Sequence, residues 1–418
     1  MKLLDVYMQE TDANCRLVGI VEKEDHQKIE LFFEYPAQFT SFINVSADPF
    51  FPVLLIPSMH QGEDLEIVPE ISEKMLANSE TIQDIFINWY PGVFRKINIR
   101  SVSREARIKT SEASGQFFSL GVDSFYTLLK NRGDSLKYLI YMQGLELPLS
   151  RYRHNQEQGV LNNLFNVSRH YDMELIYGKT NFRDHFDFDW PKYYHGAGLA
   201  SAAISLGKGL GRMYVASSHS YGAHIPVGSS FMLDHLWSTG QIDIVHDGAE
   251  KGRGFKVADL VADDPFALNN LRVCTENDGG DFNCCRCRKC VSTMGVLEII
   301  GKLDESAAFP LKRVKGEIYK IQPYSLSSYA LTKDLHSLAL KYNRLDLARE
   351  VENELIIGQH DLYGRKELST GMIKYIGEFV FYLCLKLRRA ISGEHNAAIG
   401  IFLQALVSVY KSKNKNSS

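Results

Sequence analysis

The chain lacks the features that would place it in a membrane or give it a general affinity for nucleic acid. No apolar run approaches the ~18–20 residues needed to span a bilayer. The opening residues, MKLLDVYMQETDANC, turn polar too early for a secretory signal, which makes the cytoplasm the expected compartment. Charge of one sign is not in excess: 47 Lys and Arg stand against 50 Asp and Glu, a formal net charge of −3. That balance gives no electrostatic case for nucleic acid as a partner. Internal repeats and low-complexity tracts are absent. So is a P-loop of the form GxxxxGK[ST]. The run Gly207-Lys208-Gly209-Leu210-Gly211 has the glycine content of a dinucleotide fingerprint, but it precedes a strand instead of following one, so it reads as a loop.

What is present is an ordinary globular composition, 45% hydrophobic and 23% charged over 418 residues, enough chain for two or three domains. Residues 1–110 read as a β-rich N-terminal domain. LVGIVEK, KIELFFEYP and FFPVLLIPS are its strand-like runs, a helix covers 71–76 and 81–89, and FRKINIRSV closes it. Residues 111–308 alternate strand and helix, the pattern of a parallel α/β sheet of five strands with helices on both faces. The strands are expected at 116–119, 138–142, 174–177, 212–217 and 241–246, with helices at 125–130, 156–171 and 195–206. Residues 309–418 form a C-terminal helical region, with helix-like spacing at 327–342, 344–355, 371–391 and 395–411. Helical packing, homodimer formation and a lid are the roles open to it.

Two motifs stand out. The first is FFSLGVDSFYTLL from Phe117, a strand, a tight turn and a helix start within thirteen residues. Gly121 is expected to supply the turn's backbone freedom, and Asp123 and Ser124 to sit at the helix N-cap. A glycine turn before a helix N-terminus is an anion site, because the first N–H groups are unpaired and the dipole is positive there. The second motif is cysteine. Five of the seven cysteines fall between Cys274 and Cys290, and Cys274, Cys284, Cys287 and Cys290 follow a C-x9-C-x2-C-x2-C spacing. Four thiolates suffice for a closed tetrahedral zinc site, with an iron–sulfur cluster as the competing occupant and free buried thiols as the alternative without metal. Residues 277–280, Asn-Asp-Gly-Gly, are expected to be the flexible connector that lets Cys274 fold back. Cys285 is the surplus thiol.

Ser119-Leu120-Gly121-Val122-Asp123-Ser124 resembles the S-G-G-x-D-S loop of the PP-loop ATP pyrophosphatases, with Leu120 in place of a glycine. Together with the cysteine spacing, it looks most like 7-cyano-7-deazaguanine synthase and its paralogues, over residues 111–300 only. The flanking regions point to a paralogue with another substrate. The resemblance implies a Rossmann-like PP-loop sheet, ATP and Mg2+ at the turn, and structural Zn2+ at the cysteines. It implies attack by a small-molecule or peptide carboxylate on the α-phosphate, release of pyrophosphate, and then attack by an amine or ammonia. Ser119, Leu120, Gly121, Val122, Asp123 and Ser124 would cradle the phosphates, and Asp123 would hold the loop or the magnesium. Arg253 and Lys256, in HDGAEKGRGFKVADL, are candidates to neutralise the leaving group. Gln143, Gly144 and His219, after the second and fourth strands, are candidate nucleoside or substrate neighbours, and Asp247 is a candidate magnesium or amine ligand. With Lys2 at position 2, no N-terminal cysteine glutaminase is expected. A nucleotide-binding module without catalysis, prompted by Leu120, and a tRNA- or nucleobase-modifying enzyme are the alternatives.

Overall fold

Ten strands form one mixed sheet in the computed structural model, in the order β10-β9-β6-β7-β8-β3-β2-β1-β4-β5. The structure describes residues 1–105, 109–133, 135–152, 154–274, 276, 282–314 and 316–363. The expected helices at 371–391 and 395–411 lie outside these residues. The chain divides into two compact units, Met1–Lys251 and Gly252–Ser418.

In the first unit, β1 (Lys2–Glu10), β2 (Asn14–Glu22) and β3 (Lys28–Pro36) make an antiparallel meander. Period-two patterning builds it: Cys15, Leu17 and Val21 on β2 and Ile29, Leu31, Phe33 and Tyr35 on β3 are all buried. Helix α1 (Phe51–Gln61) covers that face. β4 (Leu65–Ser72) then pairs parallel with β1, and after helix α2 (Glu73–Trp89) strand β5 (Ile99–Arg104) pairs parallel with β4.

β6 (Ser114–Phe117), helix α3 (Val122–Asn131), β7 (Leu136–Gln143), helix α4 (His154–His170) and β8 (Glu174–Thr180) follow as successive βα units. The short α5 (Phe182–His185) and α6 (His195–Ser205) lead to β9 (Arg212–Ala216), and the last strand is β10 (Asp243–Asp247). β10, β9, β6, β7 and β8 pair in parallel throughout, at nearly the positions expected from sequence. The expectation of a five-stranded sheet is corrected, because the sheet does not end at β8. Phe33 and Glu34 of β3 pair antiparallel with Thr180 and Lys179, which extends the sheet to ten strands. That pairing satisfies a strand edge that would otherwise be open. One apolar cluster runs from Leu3 through Phe33, Phe51 and Phe182 to Ile244. The Tyr35 hydroxyl, 2.6 Å from Ser205 Oγ, ties β3 to α6 inside it.

FFPVLLIPS is a second correction, since it is helix and not strand. Phe51 to Met59 are all buried. A helix apolar on every side carries no amphipathic period to distinguish it from a buried strand. Pro52 sits in its first turn, where no N–H is missed, and Gly62 at φ 75° closes it by donating to Ser58 O.

The second unit holds α7 (Arg253–Asp259), α8 (Pro265–Asn270), α9 (Arg288–Ile299), α10 (Leu326–Lys341) and α11 (Leu345–Tyr363). A capping box between Ser325 and Ser328 starts α10. Among the described residues no helix is long and apolar enough to cross a membrane.

Candidate functional site

Strand order marks the place in the first unit where a ligand is expected. The chain runs β6-β7-β8 in one direction and returns to place β9 on the other side of β6. The order therefore reverses between β6 and β9, and open α/β sheets bind ligands at such a reversal, beyond the carboxyl ends of the strands. Gln116 pairs with Tyr214, so the turn at Ser119 and the turn at Ser217 leave the sheet at the same level. Ser119 is exposed there, and His219 is half-buried, its N–H donating to Ser217 Oγ.

The turn itself departs from expectation in two respects. Leu120, not Gly121, carries the left-handed backbone, at φ 64°. Gly121 is the N-cap in an extended conformation, with φ −79° and ψ 165°, so Asp123 and Ser124 fall in the first turn of α3 and not at its cap. The Ser124 hydroxyl donates to Gly121 O at 2.9 Å and accepts from Ser119 N–H at 3.4 Å, which staples the turn shut. Gln116 Nε2 supports it from beneath by donating to Ser124 O at 2.6 Å. The Leu120 side chain is fully buried, 0% exposed, so it packs within the protein. Asp123 and Val122 are also buried.

A leucine at positive φ costs about 1–2 kcal/mol, whereas deleting a buried leucine costs about 2–5 kcal/mol. Leu120→Gly relieves the first and suffers the second. The variant is expected to be less stable than the parent by about 1–3 kcal/mol, read from urea unfolding. A more stable variant would mean that strain, not packing, dominates the turn.

Asp247, at the end of β10, is already engaged. Its carboxylate accepts from Thr127 Oγ1 at 2.9 Å, Lys130 Nζ at 2.9 Å and Asn131 Nδ2 at 3.2 Å, all from α3. Lys130 also reaches Glu250 at 2.8 Å, and Tyr126 donates to the same carboxylate. Burial alone would raise Glu250; Lys130, its backbone N–H and Tyr126 outweigh it and hold it at about 2. Burial works against the Lys130 ammonium, yet Glu250 and Asp247 keep it above its ordinary range. The network locks α3 to β10 through Asp247, the residue expected to contact magnesium or an amine.

Gly144 follows β7 at φ 87°, and a Cβ there would lie 1.7 Å from Thr180 O. Gln143 is buried beside it, its Nε2 without a partner among the described residues. At the opposite end of the strands a cleft of about 560 Å³ opens between Lys74, Asn78, Arg212, His235 and Asp243. Asp243 is held there by Lys109 at 2.6 Å.

In the second unit, Cys274, Cys284, Cys287 and Cys290 place their sulfurs within 4.8 Å of one another. Cys284 Sγ to Cys290 Sγ and Cys287 Sγ to Cys274 Sγ are both 3.9 Å. A tetrahedral ion with about 2.3 Å bonds to sulfur requires about 3.8 Å between ligands, so these residues can hold a metal ion. Cys287 caps α9 and its N–H points at Cys284 Sγ, 3.3 Å away. Two thiols therefore lie at a helix N-terminus, where thiolates are favoured. The Cys287 thiol and then burial push Cys290 up, and burial raises Cys274. Without a cation Cys274 and Cys290 keep their protons.

Cys285 is turned out of the group. It takes φ 57°, and its sulfur lies 3.6 Å from Asn283 O. Asn283 is a residue that sequence reasoning missed. Fully buried, it accepts from Val273 and Cys274 N–H at 2.8 and 3.2 Å and donates to Leu271 and Ala308 carbonyls. It thereby pins Cys274 beside the other three; its one signal in sequence is its place directly before Cys284. Residues 277–280, the expected connector, lie outside the described residues.

Arg253 and Lys256 lie on α7 in this second unit, Lys256 only 1% exposed. The neighbouring Asp334 carboxylate accepts from Gly254 N–H at 3.1 Å. Burial pushes Asp334 up to about 6, against the pull of that N–H and of Lys256. A carboxyl raised on folding contributes stability that is fully present below its unfolded value, near 4, and is lost as pH rises through the folded one. The loss is on the order of 3 kcal/mol. Asp334→Asn should flatten this dependence between pH 4 and 7, measured as thermal midpoints of parent and variant. Parallel profiles would assign the dependence elsewhere.

The sequence matches no family model, no curated protein and no solved structure.

Proposed function

We propose that the protein is an ATP-dependent, AMP-forming ligase that activates a small-molecule or peptide carboxylate as its adenylate and passes the acyl group to an amine or ammonia. The observation that carries this reading is the stapled turn at Ser119–Ser124. It opens helix α3 at the reversal of strand order, in the parallel part of the mixed sheet. Its sequence resembles a PP-loop.

In this reading ATP enters as its magnesium complex. The first N–H groups of α3 and the Ser119 hydroxyl receive the pyrophosphate portion, where the helix dipole favours its charge. Ser124 keeps the turn closed, and Asp123 fixes the first helical turn. The substrate carboxylate attacks the α-phosphorus, the bond to the β-phosphate oxygen breaks, and pyrophosphate leaves. Arg253 and Lys256 are assigned no part in this step. The four cysteines hold a structural zinc ion, since four protein ligands leave no open coordination position.

Calorimetry with α,β-methylene ATP and magnesium tests the turn. The parent should bind, and the Ser119→Ala, Asp123→Ala double variant should bind about ten-fold or more weakly, the equivalent of one lost charge-assisted hydrogen bond. Equal affinities would take the turn out of the account.

A further inference from the structure

The first unit contains a second polar constellation, on the opposite face of β10 from Asp247. Adjacent strand residues point to opposite faces, so His246 faces away from α3 while Asp247 faces it. His246 Nδ1 lies 2.7 Å from Asp234 Oδ2, both side chains buried. Asp234 also accepts from Ser229 Oγ at 2.8 Å and from Ser230 N–H at 3.2 Å. A carboxylate so placed can only accept, so Nδ1 carries the proton and Nε2 is the ring's basic nitrogen.

Among the described residues none of the donors to Asp234 is a lysine or arginine. An unpaired buried carboxylate is costly. A proton taken up at Nε2 converts the pair into an ion pair, with Asp234 as the counter-charge. His224 does not compete for that charge: burial and the nearby His246 lower it, and its ring packs against Trp89 and Phe231 at 5.5 and 5.0 Å. Placement agrees. His246 pairs with Val215 on β9, the strand that borders β6 at the reversal of strand order.

We infer that His246 is the proton acceptor for the attacking amine in the second half of the ligation, with Asp234 as its positioning residue. The inference rests on the adenylation reading for its electrophile. The amine nitrogen bonds to the acyl carbon, the bond from that carbon to the adenylate oxygen breaks, and AMP leaves with the electron pair. The amine proton passes to His246 Nε2, and Asp234 balances the imidazolium. An imidazole oriented by a buried carboxylate is the arrangement general-base catalysis requires.

Diethyl pyrocarbonate, which acylates neutral imidazole nitrogen, tests the assignment on the full-length chain, with modified residues located by peptide mass spectrometry. His246 should react, and Asp234→Asn should slow that reaction about ten-fold, the equivalent of one charge-assisted hydrogen bond. No reaction at His246 while exposed His26 reacts, or an equal rate in the variant, would overturn the inference. If Asp234→Asn fails to fold, nitrogen-15 NMR of the parent decides: the Nδ1–H tautomer of His246 supports the dyad and the Nε2–H tautomer refutes it. Parallel calorimetry with ATP and magnesium separates the two readings. Reactive, Asp234-dependent His246 without ATP binding would retain the base and discard the adenylate.

Discussion

Cys290→Ser should strip the metal from the chain and unfold the second unit. Cys290 is 0% exposed and its sulfur sits 3.9 Å from Cys284 Sγ, so serine offers a poorer ligand with no room to recruit a substitute. Structural zinc contributes about 10–16 kcal/mol in small domains, which equals or exceeds the ~5–15 kcal/mol net stability of a typical protein. The expected results are about one zinc per chain in the parent by elemental analysis, far less in the variant, and loss of the cooperative transition of the second unit in calorimetry. Cys285→Ser is the control, expected to keep both metal and transition because Cys285 points away from the cluster. Metal loss in the control and not in Cys290→Ser would reverse the ligand assignment.

Gly144→Ala carries the second large effect. The added Cβ would lie 1.7 Å from Thr180 O, a backbone atom at the end of β8, and the residue is held at φ 87°. Neither problem is solved by rotating a side chain, so one strand end has to move. Arg183 limits that movement, because its guanidinium ties the carbonyls of Leu145 and Glu146, just after the glycine. A loss of about 4 kcal/mol or more is expected, in the exceptional range for single substitutions, measured as a urea midpoint. Gly133→Ala is the comparison: it also has positive φ, 99°, but meets nothing within 4 Å, so it should lose only about 1 kcal/mol. Equal losses would mean that backbone conformation alone, and not the Thr180 carbonyl, sets the cost.

What could be read from sequence followed how local each feature is. The parallel strands and their helices depend on short apolar runs and turns, and they occur close to their expected positions. The four cysteines were legible because metal-ligand spacing is itself a sequence pattern. The β3–β8 pairing was not, since it joins residues about 150 positions apart and leaves no local mark. Helix α1 was misread because its buried face is its whole circumference. At the turn, the glycine suggested where φ would be positive, yet burial of Leu120 moved the strain one residue back. Asp234 and His246 match no motif; only the fold of the segment after β9 brings them together.

The sheet reversal, the turn and its dipole meet in one chemical claim, that ATP is cut between the α- and β-phosphates. ATP labelled with phosphorus-32 in the α position, incubated with the full-length protein, magnesium and pooled small-molecule and peptide carboxylates plus ammonium, tests it directly. The account predicts labelled AMP and an equal amount of pyrophosphate, both lost in the Ser119→Ala, Asp123→Ala variant. Labelled ADP with inorganic phosphate would contradict it.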